Sequence, residues 1–484
     1  MKGMKGGSPY KLRVRNLSLS LTALICLTLA VWAWEKTPHL TTYFQQVEQF
    51  EMSSSVLSPV NSVKTTPVNN FTRQNPLLVG VKSNPPKEEV PSKLSIKGIP
   101  SEPAKEDNSS ADTPSISPAG GSAKSSAGER KDGENVKMVS SNKDCDYAKG
   151  KWVADSKRPL YSGSGCRQWL SGMWACRLNH RTDFAYEHYR WQPKDCEMPD
   201  FHGSKFLRRM KHKTIAFIGD SLGRQQFQSM MCMVTGGRES PEVEDIGKQY
   251  GLVIPRGAKR PDGWAYRFPK TNTTILYYWS ASLCALEPIN KMDPATNVAM
   301  HLDRPVQFLQ QNLPRFDVLV LNTGHHWNRG KLTANRWVMY VNGTPNADKK
   351  IAGIGNAKNL TIHSVVKWLD SRLPQYPRLK VFFRTMSPRH FENGDWNTGG
   401  SCDNTIPLVG GSDVNQNSSS DPATEDAVKG SKVKLLDITA LSQLRSEGHV
   451  SKFSIRPQPG MYDCLHWCLP GIPDTWNELL AAQV

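Results

Sequence analysis

Ser221 follows Gly219-Asp220 where an apolar run breaks, and Asp463 stands three residues before His466 near the C-terminus. A serine hydroxyl becomes a nucleophile when a base takes its proton. An imidazole serves as that base when a carboxylate fixes its tautomer and stabilises the imidazolium. Asp463-x-x-His466 offers base and orienting group from one short turn. The three residues together predict acyl transfer through Ser221, with His466 as general base and then acid. Taken alone, Ser221 reads first as a helix cap.

The flanking residues say how such a serine is positioned. Thr214 to Ile218 is apolar and free of turn formers, as in a buried strand. Past the Gly-Asp-Ser break, Phe227, Met230, Met231 and Val234 recur at helical spacing and predict one buried helix face. Ser221 then sits at a helix N-terminus, where backbone N–H groups favour an oxyanion. Asp220 is expected to bond turn amides rather than react. Further strands are predicted at Thr274–Trp279, Asp317–Asn322, Lys380–Phe383 and Lys434–Leu436, and a helical pattern over His363–Leu373. Short buried strands alternating with helices predict an α/β fold, a mostly parallel sheet covered on both faces. Ligands gather at the carboxyl ends of such strands, so Ser221, Asn322 and Arg384 are expected on one rim.

Composition divides the chain. Twelve of the 14 tryptophans follow residue 150, and no aromatic residue lies between Thr72 and Asp146. Residues 1–16 carry Lys2, Lys5, Lys11, Arg13 and Arg15 without an acid, and residues 17–34 carry no charge. This predicts a cytosolic tail and an uncleaved transmembrane signal-anchor, with a cleaved signal peptide as the alternative. Residues 35–142, rich in Pro, Ser, Lys, Glu and Gly, are expected to be a disordered lumenal stem. Residues 143–203 form a cysteine- and tryptophan-rich segment read as a small lobe, and 204–484 the catalytic domain. The cysteine spacings are wide and lack a C-x-x-C pair, so disulfides are favoured over zinc. The net charge of +17 favours an acidic partner. With no nucleic-acid motif in the sequence, a membrane-anchored lumenal protein points to acidic glycans. Sequons on the lumenal side are Asn70, Asn108, Asn272, Asn342, Asn359 and Asn417.

Four blocks in order carry a resemblance: Gly219-Asp220-Ser221-Leu222, Asn322-Thr323-Gly324-His325-His326-Trp327, Asp395-Trp396-Asn397-Thr398-Gly399-Gly400-Ser401-Cys402 and Asp463-Cys464-Leu465-His466-Trp467-Cys468. From about Asp144 onward the chain resembles the plant trichome birefringence-like family, polysaccharide O-acetyltransferases of the secretory pathway. The resemblance implies an SGNH-hydrolase-like three-layer sandwich with the cysteine-rich lobe in front. It implies a Golgi membrane protein, single-pass type II with a lumenal catalytic domain, and no metal or bound cofactor. An acetyl donor, with acetyl-CoA as candidate, serves as co-substrate. It also suggests the pairs Cys145–Cys196, Cys166–Cys232, Cys176–Cys468 and Cys402–Cys464, leaving Cys284 as a free thiol outside the motifs.

Around the three reacting residues several readings stay open. Asn322 and Gly324 are candidate oxyanion donors or merely a strand-ending turn. Arg224 and Arg384 are candidate ligands for an acyl donor or acidic acceptor, or ion-pair partners. Trp396 and Trp467 either line a sugar groove or pack on the adjacent disulfides. His325 and His326 are alternative bases without a carboxylate at fixed spacing. Cys464-x-His466-x-Cys468 also reads as a zinc site. The expected activity is acetyl transfer to a cell-wall polysaccharide, xylan first, with pectin or mannan as alternative acceptors. An acetyl esterase and a non-catalytic polysaccharide-binding protein are the competing classes.

Overall fold

The computed structural model describes residues 145–255, 257–407, 413–455 and 457–484. The expected cytosolic tail, membrane anchor and stem, with Asn70 and Asn108, lie outside these residues. Among the described residues, no helix is long and apolar enough to cross a membrane.

In chain order, the first elements are β1 (Gly150–Ala154), β2 (Tyr189–Pro193) and α1 (Gly203–Arg209). The unit carrying Ser221 follows as β3 (Thr214–Gly219) and α2 (Ser221–Thr235). Next come β4 (Glu244–Asp245), β5 (Gly263–Phe268), β6 (Thr273–Trp279), β7 (Cys284–Pro288), β8 (Val298–Pro305), α3 (Gln307–Asn312) and β9 (Val318–Leu321). Then follow α4 (Arg329–Ala334), β10 (Trp337–Val341), β11 (Thr344–Pro345), α5 (Ile354–Arg372), β12 (Lys380–Arg384), α6 (Pro422–Val428) and β13 (Lys434–Leu436). The chain closes with α7 (Thr439–Gln443), β14 (His449–Ser451), β15 (Asp463–Trp467) and α8 (Ile472–Gln483).

The main sheet has the order β13-β12-β9-β3-β6-β5-β4. Its β13, β12, β9, β3 and β6 run parallel, β5 is antiparallel to β6, and β4 is antiparallel to β5. Alternation along β3 makes the layers. Ile215 and Phe217 face a cluster with Phe227, Met230, Trp476 and Leu480, while Ala216 and Ile218 face Leu309, Ile362, Val365 and Leu369. Helices α2 and α8 thus cover one face of the sheet, and α3 and α5 the other.

Two features depart from the expectations. The helix predicted to bury one face is buried on every side from Leu222 to Val234, including Arg224, Gln225, Gln226 and Ser229. It is sandwiched between β3 and β6 on one side and α1 and α8 on the other, so its polar residues are internal ties. The cysteine-rich segment shares the core of the main domain. Trp174 and Trp191 belong to the same cluster as Phe217 and Trp476. Cys166–Cys232 joins the segment to α2, and Cys176–Cys468 joins it to the chain just after β15. Cys145–Cys196 and Cys402–Cys464 complete the pairs that the resemblance suggests, and Cys284 is a buried free thiol. A second sheet, β11-β10-β8-β7, has no counterpart in the sequence reading. Its β8 interrupts its apolar residues with His301, Asp303 and Arg304, and Glu287 on β7 pairs with both His301 and Arg304.

Helix α8 carries a buried carboxylate. Asp474 accepts hydrogen bonds from Gly471 N–H (2.9 Å), Tyr161 O–H (2.9 Å) and Ser229 O–H. Burial pushes its pKa up to about 7 against these hydrogen bonds, with the Glu478 charge adding to the rise. A raised folded-state pKa means that the folded chain holds the proton more tightly than the unfolded chain. Its stabilising contribution is present below the unfolded value of 3.8 and fades as pH rises toward about 7. The melting temperature relative to Asp474→Asn should therefore fall as pH rises from 4 to 7, which thermal unfolding at several pH values measures. A constant difference would reject this assignment.

Candidate active site

Strand β3 delivers the chain to Gly219, and Asp220 caps α2 by accepting the Leu222 N–H at 3.0 Å. Its Oδ1 also accepts Asn322 Nδ2 at 2.6 Å. Ser221 is thereby the first helical residue rather than the cap, and its side chain is left for other work. Gly219 and Gly223 are required by this arrangement: a Cβ on either would collide with Asn322 Oδ1.

From the other side, β15 presents His466. Its Nε2 lies 2.8 Å from Ser221 Oγ, and its Nδ1 lies 2.9 Å from Asp463 Oδ2. With Nδ1–H donated to the carboxylate, Nε2 offers its lone pair to the serine hydroxyl. Asp463 Oδ1 also accepts the backbone N–H groups of His466 (2.9 Å) and Leu465 (3.2 Å), so the carboxylate braces the turn that carries the base. Burial alone would raise the Asp463 pKa. The His466 charge and the hydrogen bonds from His466 and Leu465 outweigh it and hold the carboxyl at about 2. The side chains of His466 and Asp463 are 15% and 30% exposed, so the serine, base and carboxylate sit at an accessible edge.

Three further groups hold His466, and none was singled out for this role from sequence. Trp174 stacks on the imidazole, centroids 5.6 Å apart. His449 Nδ1 lies 3.0 Å from the His466 carbonyl, and its ring stacks on Trp467 at 3.9 Å. Burial first, and then the neighbouring His390, lower the His449 pKa to about 3, so its imidazole is neutral. Gln225, one turn beyond Ser221 on α2, donates to the Trp467 carbonyl and accepts the Trp467 N–H at 3.2 Å. A fully buried glutamine thus ties the nucleophile helix to the strand bearing the base. The available signal was its i+4 spacing from Ser221. Gln225→Leu removes both bonds and frees the register between helix and strand. We expect kcat on an acyl ester to fall about 10–10²-fold with KM nearly constant, read by steady-state kinetics. A rise in KM alone would contradict this role.

The remaining candidates fall in different places. Arg224 is buried, with its guanidinium 4.6 Å over the Trp174 ring, and so lies behind the residue that stacks on His466. Arg384 is not on an open rim. It is 1% exposed, donates to the Leu222 carbonyl at 3.2 Å and lies over Trp476. It shares a sheet face with Phe382, so it points beneath α2 instead of past the strand end. Burial lowers its pKa to about 10, opposed by the Asp220 charge. Gly324 packs on Met386, where a Cβ would crowd the sulfur. His325 is bonded through Nε2 to the Ser387 carbonyl (2.8 Å), with its pKa lowered first by burial, and His326 meets Trp279 edge-on. Trp467 is fully buried and bonds Ser387 Oγ, so it packs and does not line a groove. Trp396 is 52% exposed on a turn held by Asp395, itself paired with Arg389. The zinc reading is overturned, because the sulfurs of Cys464 and Cys468 are both in disulfides. Asn272, Asn342, Asn359 and Asn417 are all exposed.

A serine, histidine and aspartate in a hydrogen-bonded row at a helix N-terminus can accept and release an acyl group. Residues 198–483 match the model of the GDSL/SGNH-like acyl-esterase family found in Pmr5 and Cas1p, and residues 143–197 match the Pmr5 N-terminal domain. Protein trichome birefringence-like 14 of Arabidopsis thaliana is 62% identical over 352 residues, 70% of this chain and 86% of that protein. Protein trichome birefringence-like 15 is 58% identical over 351 residues, 71% of each chain. Protein trichome birefringence-like 9 is 34% identical over 361 residues, 71% of this chain and 84% of that protein. The chain belongs to the GDSL/SGNH-like acyl-esterase family found in Pmr5 and Cas1p, among its trichome birefringence-like members, and its chemistry is that of acyl esters.

Proposed function

We propose that this protein is an O-acetyltransferase that passes acetyl groups through Ser221 to hydroxyls of a plant cell-wall polysaccharide, with xylan as the first acceptor to test. The observation that carries the reading is the Ser221–His466–Asp463 row at 2.8 and 2.9 Å. In the first half-reaction His466 Nε2 takes the Ser221 proton as Oγ attacks the acetyl carbonyl of the donor. The donor's leaving group departs with that proton. In the second, an acceptor hydroxyl gives its proton to His466 and attacks the acetyl-serine. Ser221 is released and reprotonated, and an ester stands on the sugar. Asp463 stays ionised throughout and supports the imidazolium.

The oxyanion formed in each half would be held by the Ser221 N–H at the start of α2. The second hydrogen of Asn322 Nδ2 and the Gly324 N–H would assist, each such donor being worth roughly 10²–10³ in rate. The exposed Trp396 supplies a face on which a sugar ring can stack. The donor is an acetyl ester or thioester such as acetyl-CoA. The same reading puts the protein in the Golgi membrane, with its N-terminal segment as anchor and its exposed lumenal sequons glycosylated.

The test incubates the full-length protein with acetyl-CoA and, separately, xylan, mannan and homogalacturonan oligosaccharides, and counts added acetyl groups by mass spectrometry. Acetylation of one polymer, absent in Ser221→Ala, supports the proposal and names the acceptor. Removal of acetyl groups from pre-acetylated oligosaccharides without addition makes the protein an esterase. Binding without either reaction returns it to the polysaccharide-binding class.

A further inference from the structure

The end of the main sheet remote from Ser221 gathers positive charge that the chemistry does not use. Helix α1 and the turn after it supply Lys205, Arg208, Arg209, Lys211, His212 and Lys213 with no acid among them, and lead directly into β3. Strand β12 begins at Lys380 and β13 at Lys434. Because β3, β12 and β13 are parallel members of one sheet, their beginnings share one edge. Ser221 lies past the other edge, roughly 20 Å away for strands of this length. Arg209 and Lys380 are drawn together by the last turn of α8, donating to the Ala481 and Gln483 carbonyls.

Lys205, Arg208, Lys211 and Lys434 are exposed and Lys213 is half-buried. Among the described residues, none of the five forms an ion pair with an aspartate or glutamate side chain. Asp317, at the same sheet edge, is engaged by the Thr214 N–H at 2.9 Å. The crowding is felt at Lys380. Burial first, and then the charges of Lys434, Lys213 and Arg209, lower its pKa. Like charges gathered on one face work against the folded state, and a polyanion laid across them relieves the repulsion.

We propose that this edge is a docking surface for an acidic polysaccharide chain, a polyuronate, separate from the Ser221 site. A uronate polymer presents carboxylates at regular intervals along a stiff backbone, which suits cations spread over a helix and two strand beginnings. A membrane surface fits less well. Interfacial binding combines cations with inserted apolar side chains, and among the described residues no exposed large apolar side chain falls in α1, in the turn after it or at the start of β12 or β13. A chain held here raises the local concentration of its own hydroxyls around the molecule without adding contacts at Ser221. The surface stands on charge and topology and does not depend on acetyl transfer being the reaction.

The test uses the immobilised full-length protein and three probes: polygalacturonate oligosaccharides, the same oligosaccharides fully methyl-esterified, and vesicles containing phosphatidylserine. One variant combines Lys205→Ser, Lys211→Ser, Lys213→Ser and Lys434→Ser, sparing Arg209 and Lys380, which bond α8. A control combines Lys259→Ser, Lys291→Ser, Lys349→Ser and Lys350→Ser, and so loses the same charge elsewhere. We expect polygalacturonate to bind, with affinity falling as salt rises. The patch variant should lose about tenfold or more and the control only about twofold, since counterion release is local to the contacts. Neutral oligosaccharide should bind neither differently, and turnover of a small acetyl ester should be the same in all three proteins, which reports an intact fold. Equal losses in patch and control variants, no polygalacturonate binding at low salt, or tighter binding to the vesicles would each overturn the proposal.

Discussion

Ser221→Ala and His466→Ala each lower kcat by about 10⁴–10⁶, and the double variant is no worse than either single one. The expectation follows from the 2.8 Å contact between Ser221 Oγ and His466 Nε2. Once the hydroxyl is gone the base has nothing to deprotonate, and once the base is gone the hydroxyl stays a poor nucleophile. The residual rate belongs to the oxyanion donors and to binding. Fold should persist in Ser221→Ala, because Asp220, and not Ser221, caps α2. Melting temperature and kcat together check this. Losses that multiply in the double variant would mean that the two residues act separately.

Asp463→Asn is the second large effect, a fall of about 10⁴ in kcat. An amide can donate to His466 Nδ1 and so favours the tautomer that turns Nε2–H toward the serine, which is the wrong one for a base. The same carboxylate has a stability consequence of definite sign. Its folded-state pKa is lowered from 3.8 to about 2. It therefore contributes stability that is present above pH 4 and is lost as pH falls through about 2. The wild type should lose melting temperature relative to Asp463→Asn only in that acid window. Steady-state kinetics at neutral pH, where Asp463 is ionised, reads the loss. A fall of less than about tenfold in kcat would transfer the orienting role to another group.

The nucleophile unit was legible because several local signals agree there. An apolar run, a Gly-Asp-Ser break and a helical pattern all point to one strand–turn–helix, and β3 and α2 follow it closely. Asp463 and His466 were legible for a different reason: three residues apart, they meet within one turn whatever the rest of the chain does. What failed was anything set by three-dimensional surroundings. Arg384 ends a strand, as expected, but which face it takes depends on strand parity, and that face is roofed by α2 and α8. The cysteine-rich segment read as a small lobe stapled to the domain, but its composition did not say that Trp174 stacks on the His466 imidazole and is part of the main core. Strands β7 and β8 were invisible because charged and histidine residues sit among their apolar ones, and neither a period of two nor an unbroken apolar run survives; β10 is an apolar run of five that the sequence reading passed over. Gln225 reads as an ordinary helix residue until β15 is placed against it.

The proposed transfer passes through a covalent acetyl-Ser221. The most direct measurement mixes the full-length protein with acetyl-CoA without acceptor, quenches in acid, and maps acetylated peptides by mass spectrometry. A xylan oligosaccharide is then added to a parallel sample. The account predicts one acetyl group on the peptide carrying Ser221, its loss on addition of acceptor, and the matching appearance of acetylated sugar. Acetylated sugar formed by Ser221→Ala, or acetyl transferred while Ser221 never carries it, would contradict the account.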